Sequence, residues 1–314
     1  MGLFFENQIG EFQTVTVPLG RCQPPKGQKS ICKLLIKLVL FNLTVARRLP
    51  GSLFLRNLVE RRSLLFQLVR RDFEQRFVGS AMGWIWGIIH PLVLLLSWCF
   101  VFRVCLRMEM PPGAITRNYP LFLFSGMLPW LLFSETVQRS ASSLLEQANL
   151  ITKTVFPAEI VPVSVFLSSL VSHVLAVALM VAAAGVWENQ ISFFLVLLPA
   201  YVFVIGLFAI GVGWIVASLN VFLRDTAQVL SVILTLWFWL TPIFITEDKY
   251  PTQAHFLLAA NPLNYAVRAY RAVLLTSGMP DLGDFAISAA WGTAAFLVGG
   301  LFFRHMKRGF ADVL

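Results

Sequence analysis

The feature that most constrains this chain is a series of long apolar stretches that starts near residue 82 and recurs almost to the C-terminus. About 20 residues at 1.5 Å rise each cover the hydrocarbon core of a bilayer. Within that core every backbone N–H and C=O must be satisfied by the chain itself, and a helix does this segment by segment. Six stretches qualify, at 82–106, 119–138, 160–184, 192–218, 227–246 and 284–303. Their centres are almost free of charge. Pro91, Pro129, Pro199 and Pro242 fall inside them or near their ends, where neighbouring helices re-satisfy the freed backbone groups. The chain is 57% hydrophobic and only 13% charged, whereas soluble domains are nearer a quarter charged. The expected fold class is an all-α integral membrane bundle of six transmembrane helices.

A second pattern leads into the first span. The segment RNLVERRSLLFQLVRRDFEQRFVGS places Leu58, Leu65, Leu68, Val69, Phe73 and Phe77 on one helical face. Arg61, Arg62, Arg70, Arg71 and Arg76 cover much of the rest. Such a helix suits the bilayer surface, its apolar side in the acyl boundary and its arginines among the head groups. Gly79 and Gly83 let the chain turn into the span. Three regions follow: a cytoplasmic extension at 1–55 without an assigned role, an interface helix at 56–80, and a membrane domain at 81–314. Within the extension, Ile31 to Val45 is apolar but interrupted by Lys33 and Lys37, and reads as a second surface-lying helix.

The net charge of +9 is compatible with nucleic acid, but its distribution argues otherwise, because the basic residues flank the spans. With the N-terminus in the cytoplasm, nineteen Lys and Arg fall on the cytoplasmic side and six on the other. That bias sets the orientation and puts both termini in the cytoplasm.

Several chemistries are missing from the sequence. No Gly-x-x-x-x-Gly-Lys-Ser/Thr loop occurs, and Gly27-Gln28-Lys29-Ser30 lacks the glycine before its lysine. ATP hydrolysis is therefore not expected of this chain. Cys22, Cys32, Cys99 and Cys105 show no metal-ligand spacing, and no His-Glu-x-x-His or Gly-x-Ser-x-Gly appears. No cofactor or metal is expected here. His173 lies in the middle of the third span, where an ionisable group is either functional or a neutral imidazole bonded to a neighbouring helix. Glu135 can pair with Arg139 one turn on. The spans hold no mid-membrane Asp or Glu, which weakens an ion-coupled carrier.

Two groups of residues remain as candidates. The first is aromatic. Nine Trp and 28 Phe are present, and an interfacial belt accounts for most of the tryptophans. Trp84, Trp86, Trp237 and Trp239 are the candidates for rings lining a path for sugars, since aromatic faces offer apolar area without demanding a specific polar partner. The second group is on the cytoplasmic connections. Leu144, Leu145, Leu150 and Ile151 give 141–153 an amphipathic pattern that leads to Glu159, bracketed by Pro157 and Pro162. Arg224 and Asp225 occupy the connection between the fourth and fifth spans. These loops are ordinary connectors or the places where a soluble motor subunit pushes.

Five segments, taken in order, resemble the permease subunit of ABC-type polysaccharide exporters, the group that exports O-antigen, capsular polysaccharide and teichoic acid. They are RRDFEQRFVGSAMGWIWGIIHPL, FPAEIVP, LNVFLRDTAQ with LWFWLTPIF, NPLNYAVRAYRAVLL and FFRHMKRGFADVL. The resemblance covers about 56–314, and Ala158 departs from it by standing where the family carries a basic residue. It implies a homodimeric pore in the bacterial inner membrane. It also implies two ATP-binding cassette subunits on the cytoplasmic side, holding ATP and Mg, and a lipid-linked glycan as cargo. NPLNYAVRAYRAVLL, by its own pattern one or two short interfacial helices, becomes a re-entrant or gating element. Two alternatives stay open: a permease of the same fold exporting lipid or drug, and an integral membrane enzyme of the lipid-carrier glycan pathway.

Overall fold

The structure is a computed structural model and describes residues 3–6, 12–15, 62–75, 83–107, 115–116, 118–153, 156–188, 192–276 and 279–310. The chain divides into two units, Met1–Ser52 and Leu53–Leu314. In the first, β1 (Leu3–Glu6) pairs antiparallel with β2 (Phe12–Val15), with Leu3 opposite Val15 and Glu6 opposite Phe12. The sequence reading contained no strand there. The helix expected over Ile31 to Val45 lies outside the described residues.

In the second unit every regular element among the described residues is a helix. Helix α1 (Arg62–Gln75) precedes α2 (Trp86–Trp98), which continues through a π-helical stretch at Cys99–Cys105. Then follow α3 (Tyr119–Glu146), the short α4 (Ala148–Lys153), α5 (Ile160–Trp187) and α6 (Leu198–Phe222). The chain ends with α7 (Thr226–Leu240), α8 (His255–Ala260), α9 (Pro262–Leu275) and α10 (Leu282–Met306).

Five of these segments are long and apolar enough to cross a membrane: Trp86–Cys105, Tyr119–Glu146, Ile160–Trp187, Phe193–Phe222 and Leu282–Gly309. The expected fifth span, 227–246, is shorter than its apolar run. Its helix stops at Leu240, and 15 residues at 1.5 Å reach about 22 Å against a hydrocarbon core of about 30 Å. Pro242 explains the stop, since proline disfavours helical backbone in the residue before it and supplies no N–H. The second span errs the other way. Its helix runs past 138 to Glu146, so part of the expected cytoplasmic connection is an extension of the span.

Helix α3 is the centre of the bundle. Its apolar stretch is 83% buried, against 11% for α2 and 17% for α10. Leu121, Phe122, Leu123, Phe124, Leu128, Leu132 and Phe133 are all fully enclosed. Three of its buried hydroxyls donate back along the helix: Ser125 to the Phe122 carbonyl, Thr136 to Leu132 and Ser143 to Ser140. A buried donor left without an acceptor costs about 1–3 kcal/mol, so this back-bonding is a condition for burying so polar a helix. Helix α6 packs against α10 backbone to backbone. A Cβ on Gly299 would sit 2.1 Å from the Gly211 carbonyl oxygen, and one on Gly211 2.3 Å from that of Ala295. Small residues are the usual means of close helix approach in membranes.

Candidate functional site

The helices alternate in direction, so each end of the bundle gathers a set of polar residues. One end collects α1, the C-terminal part of α3, the start of α5, the α6–α7 turn and the end of α10. There Arg139 meets Asp72 at 2.5 Å and Glu135 at 3.8 Å. The expected Glu135–Arg139 pair is present, but the closer partner, Asp72, comes from α1. Asn220 donates to the Ala141 carbonyl at 2.8 Å and accepts from the Ala227 N–H, joining α6 to α3 and α7. Lys307 holds both carboxylate oxygens of Glu159, at 2.7 and 2.9 Å. The indole N–H of Trp214 donates to the Glu159 carbonyl at 3.0 Å.

The arginine-rich helix forms over Arg62–Gln75, and Arg62, Arg70 and Arg71 are exposed. Arg61 and Arg76 lie outside the described residues. A hydrogen bond to Glu74 at 2.7 Å raises the Arg70 guanidinium above its ordinary value. The apolar side faces protein in part: Leu68 is buried, Leu65 packs on the bundle core and Phe73 is half-buried. This corrects the expectation that the whole side rests in lipid.

Among the residues expected to meet a motor subunit, Leu144 is a correction. It is fully buried in this chain's own core and has no surface to offer. The reason is the extension of α3, which carries Leu144 inward with the span. Leu145 and Leu150 are half-buried, on α3 and α4. Glu159 is engaged by Lys307, while Arg224 and Asp225 form an exposed turn between α6 and α7.

At the other end, Asn118 and Thr116 both donate to Glu188, tying the start of α3 to the end of α5. Arg268 bridges Asp284 at 2.6 Å and Glu247 at 3.5 Å. Helix α9 is more than interfacial. Tyr270 is fully buried and its hydroxyl meets His173 Nε2 at 2.9 Å, in the middle of α5. His173 thus has the neighbouring-helix partner that one sequence reading gave it. Arg271 is 4% exposed. Its guanidinium lies 3.7 Å from the Phe122 ring centroid and donates to the Ile243 carbonyl at 2.8 Å. Gly126 makes room for it, since a Cβ there would stand 2.9 Å from Nη2.

The four candidate tryptophans separate. Trp237 points into the bundle, where its N–H donates to Asn261 at 2.9 Å and its ring packs edge-on to Phe133. It is half-buried and supports the α7–α9 junction. Trp239 is 65% exposed and stacks on Phe244. Trp86 borders a cleft of ≈ 380 Å³ between α2, α3 and α5, with His90, Glu135, Ser169 and His173. The side chain of Trp84 lies outside the described set. Among the described residues, no group of three or more His, Cys, Asp or Glu is placed to hold a metal ion.

Sequence reading missed Asp72, Asn220, Asn261 and Lys307 as structural partners. Each is a single polar residue whose partner is 20 to 148 positions away, and no local period encodes such a pair. Asn261 alone carried a signal, as a helix N-cap followed by proline.

Comparison with known proteins supports the same architecture. Residues 63–275 match the family described as ABC-2 type transporter. The O-antigen export system permease protein RfbA of Myxococcus xanthus is 30% identical over 259 residues, 82% of this chain and 97% of that protein. Its namesake in Klebsiella pneumoniae is 27% identical over 252 residues, 80% and 95% of the two chains. The polysialic acid transport protein KpsM of Escherichia coli is 24% identical over 210 residues, 66% and 80%. A family match over more than half of its length, on a bundle of apolar helices with two polar ends, means that this chain belongs to the ABC-2 type transporter family.

Proposed function

We propose that this chain is the membrane-spanning permease subunit of a bacterial ABC exporter for a lipid-linked polysaccharide. The single observation that carries the reading is the alignment with an O-antigen export permease at 30% identity over 97% of that protein. In this reading two copies form the path, and two ATP-binding cassette subunits with ATP and Mg supply the work. The protein lies in the inner membrane with both termini in the cytoplasm. The nineteen-to-six basic bias supports that orientation, and Arg139, Arg224 and Lys307 belong to one end of the bundle.

The need for two copies has a physical basis. A polymer path must be continuous, and α3, at the centre of a single chain, is packed on all sides by large side chains. Open apolar sides remain on the periphery, among them Val93 and Leu96 on α2, Val229, Val232 and Leu236 on α7, and Leu297, Val298 and Leu301 on α10. A path between two copies leaves the packed centre intact. The test is purification of the tagged protein in mild detergent, with surface glycan scored in a strain lacking it. The expected outcome is a stoichiometric ATP-binding partner and loss of surface polysaccharide. Purification with no ATPase, together with unchanged surface glycan, refutes the reading.

A further inference from the structure

We infer that Glu159 and Lys307 act as a positioning pair, fixing the segment that follows α4 to the rigid α6–α10 seam so that a push on the cytoplasmic connections moves the bundle. The inference rests on the proposed function and concerns how that permease is driven.

Glu159 stands at the start of α5, six residues beyond the end of α4. It is held twice. Its carboxylate takes Lys307 at 2.7 and 2.9 Å, just past the end of α10. Its backbone carbonyl accepts the Trp214 indole N–H, from α6. Trp214 is buried, with Phe296 and Phe303 of α10 at ring distances of 4.9 and 6.3 Å. Within about one turn of these rings, α6 and α10 touch through Gly211 and Gly299. The first turn of α5 is thus attached to a unit in which two helices cannot slide past each other without backbone collision.

Stability does not account for the pair. The Lys307 and Glu159 side chains are 38% and 29% exposed, and solvent-screened pairs of that kind contribute little to stability. Position does. The Arg224–Asp225 turn is continuous with α6, a helix of this unit, and α4 leads along the chain to Glu159 and so to its attachment on the unit. A partner shifts a conformational equilibrium only through contacts that differ between states, and those contacts need a stiff route into the spans. Without Lys307, the start of α5 loses its ion pair to the end of α10 and is left with the Trp214 hydrogen bond and the packing of Pro162 and Phe166 on α6. It can then tilt alone when α4 is pushed. Motion is spent locally and ATP turnover is no longer tied to export.

The test uses the whole chain with the ATP-binding subunit that copurifies with it. Glu159→Gln, Lys307→Met and the exchange Glu159→Lys with Lys307→Glu are compared with wild type. Four quantities are read: membrane abundance, ATPase copurification, ATP hydrolysis by the complex, and surface glycan. Each single variant is expected to keep the first three within about twofold and to lose export by about fivefold, the low end of coupling between linked sites. The exchange is expected to restore most of that loss, which a merely structural role for either residue would not produce. Normal export by both single variants overturns the inference and leaves the permease reading intact. Impaired single variants without rescue by the exchange also overturn it, since the residues then act separately. A wild-type complex without an ATPase removes the permease reading and this role with it.

Discussion

Replacement of Gly299 by alanine tests the close packing of α6 on α10. The added Cβ would lie 2.1 Å from the Gly211 carbonyl oxygen and 2.9 Å from its Cα. That is about 1.3 Å short of the 3.4 Å at which ordinary contact begins, so the seam must open on a length scale that already forfeits a quarter to a half of each van der Waals well. The obstacle is backbone, so no side chain can swing away. Overpacking costs about 1–3 kcal/mol, and the absence of a flexible neighbour puts this case at the upper end. Alanine recovers about 1 kcal/mol of helix propensity over glycine, leaving about 2 kcal/mol of destabilisation. At about 2–4 °C per kcal/mol for a domain of this size, the apparent melting temperature in detergent should fall by about 4–8 °C. The internal control is the next residue. A Cβ on Gly300 meets only the Trp214 ring, at 3.5 Å, so Gly300→Ala should melt at or slightly above wild type. The measurement is loss of the monodisperse peak on size-exclusion chromatography after heating. Equal melting of the two variants would refute the interlocked seam.

Further outcomes follow from the two ends of the bundle. Arg271→Lys should lower stability by about 2 kcal/mol, because a point charge cannot keep both the flat stacking on Phe122 and the bond to Ile243; an unchanged melting curve would count against that contact. Trp237→Ala should reduce protein abundance, since the half-buried ring loses its hydrogen bond to Asn261 and its packing on Phe133, whereas the exposed Trp239→Ala should leave abundance normal and reduce export per molecule. Normal export with Trp239→Ala would take that ring out of the path. In a cysteine-free background, a membrane-impermeant thiol reagent applied from outside should label Gln253→Cys and miss Asn149→Cys and Asp225→Cys, three positions exposed in the structure; labelling of Asn149→Cys would reverse the orientation.

The apolar stretches made the bundle legible because burial in lipid imposes a long, continuous composition that any window along the chain detects. The ends of the helices were less legible, for a reason particular to each. Pro242 shortens α7 through backbone geometry, while hydropathy carries on past it to 246. Helix α3 outruns its apolar run because serines continue it at the polar end, Ser142 donating to the Arg139 carbonyl and to Glu146, and Ser143 to the Ser140 carbonyl. The amphipathic pattern at Leu144 and Leu145 was real, but a period gives a face without saying what covers it, and for Leu144 the cover is this chain. The same limit applies to the tryptophans. Trp237 and Trp239 are two residues apart and equally apolar. Only the position of Asn261, on another helix, makes one a support and leaves the other outside.

Rigidity is unevenly distributed in this packing, and that bears on which helices move in a working cycle. Helices α3, α6 and α10 share enclosed aromatic rings and backbone contacts, and α9 is pinned to α5 by Tyr270 and to α3 by Arg271. Packed cores deform little and respond to load by shifting as units. Helix α7 is different. Only Leu230 and Leu234 along its length are buried, with Trp237 as its one anchor to α9. It begins at the exposed Arg224–Asp225 turn and ends at Pro242. A short helix with few buried contacts, free on its outer face and hinged at both ends, is the cheapest element to displace. In a permease of two copies that outer face, with Trp239 on it, is also where cargo and the second copy are expected to lie. The Asn261 side chain, bonded to Trp237, to Thr241 and to the first turn of α9, is the joint between α7 and that packed centre.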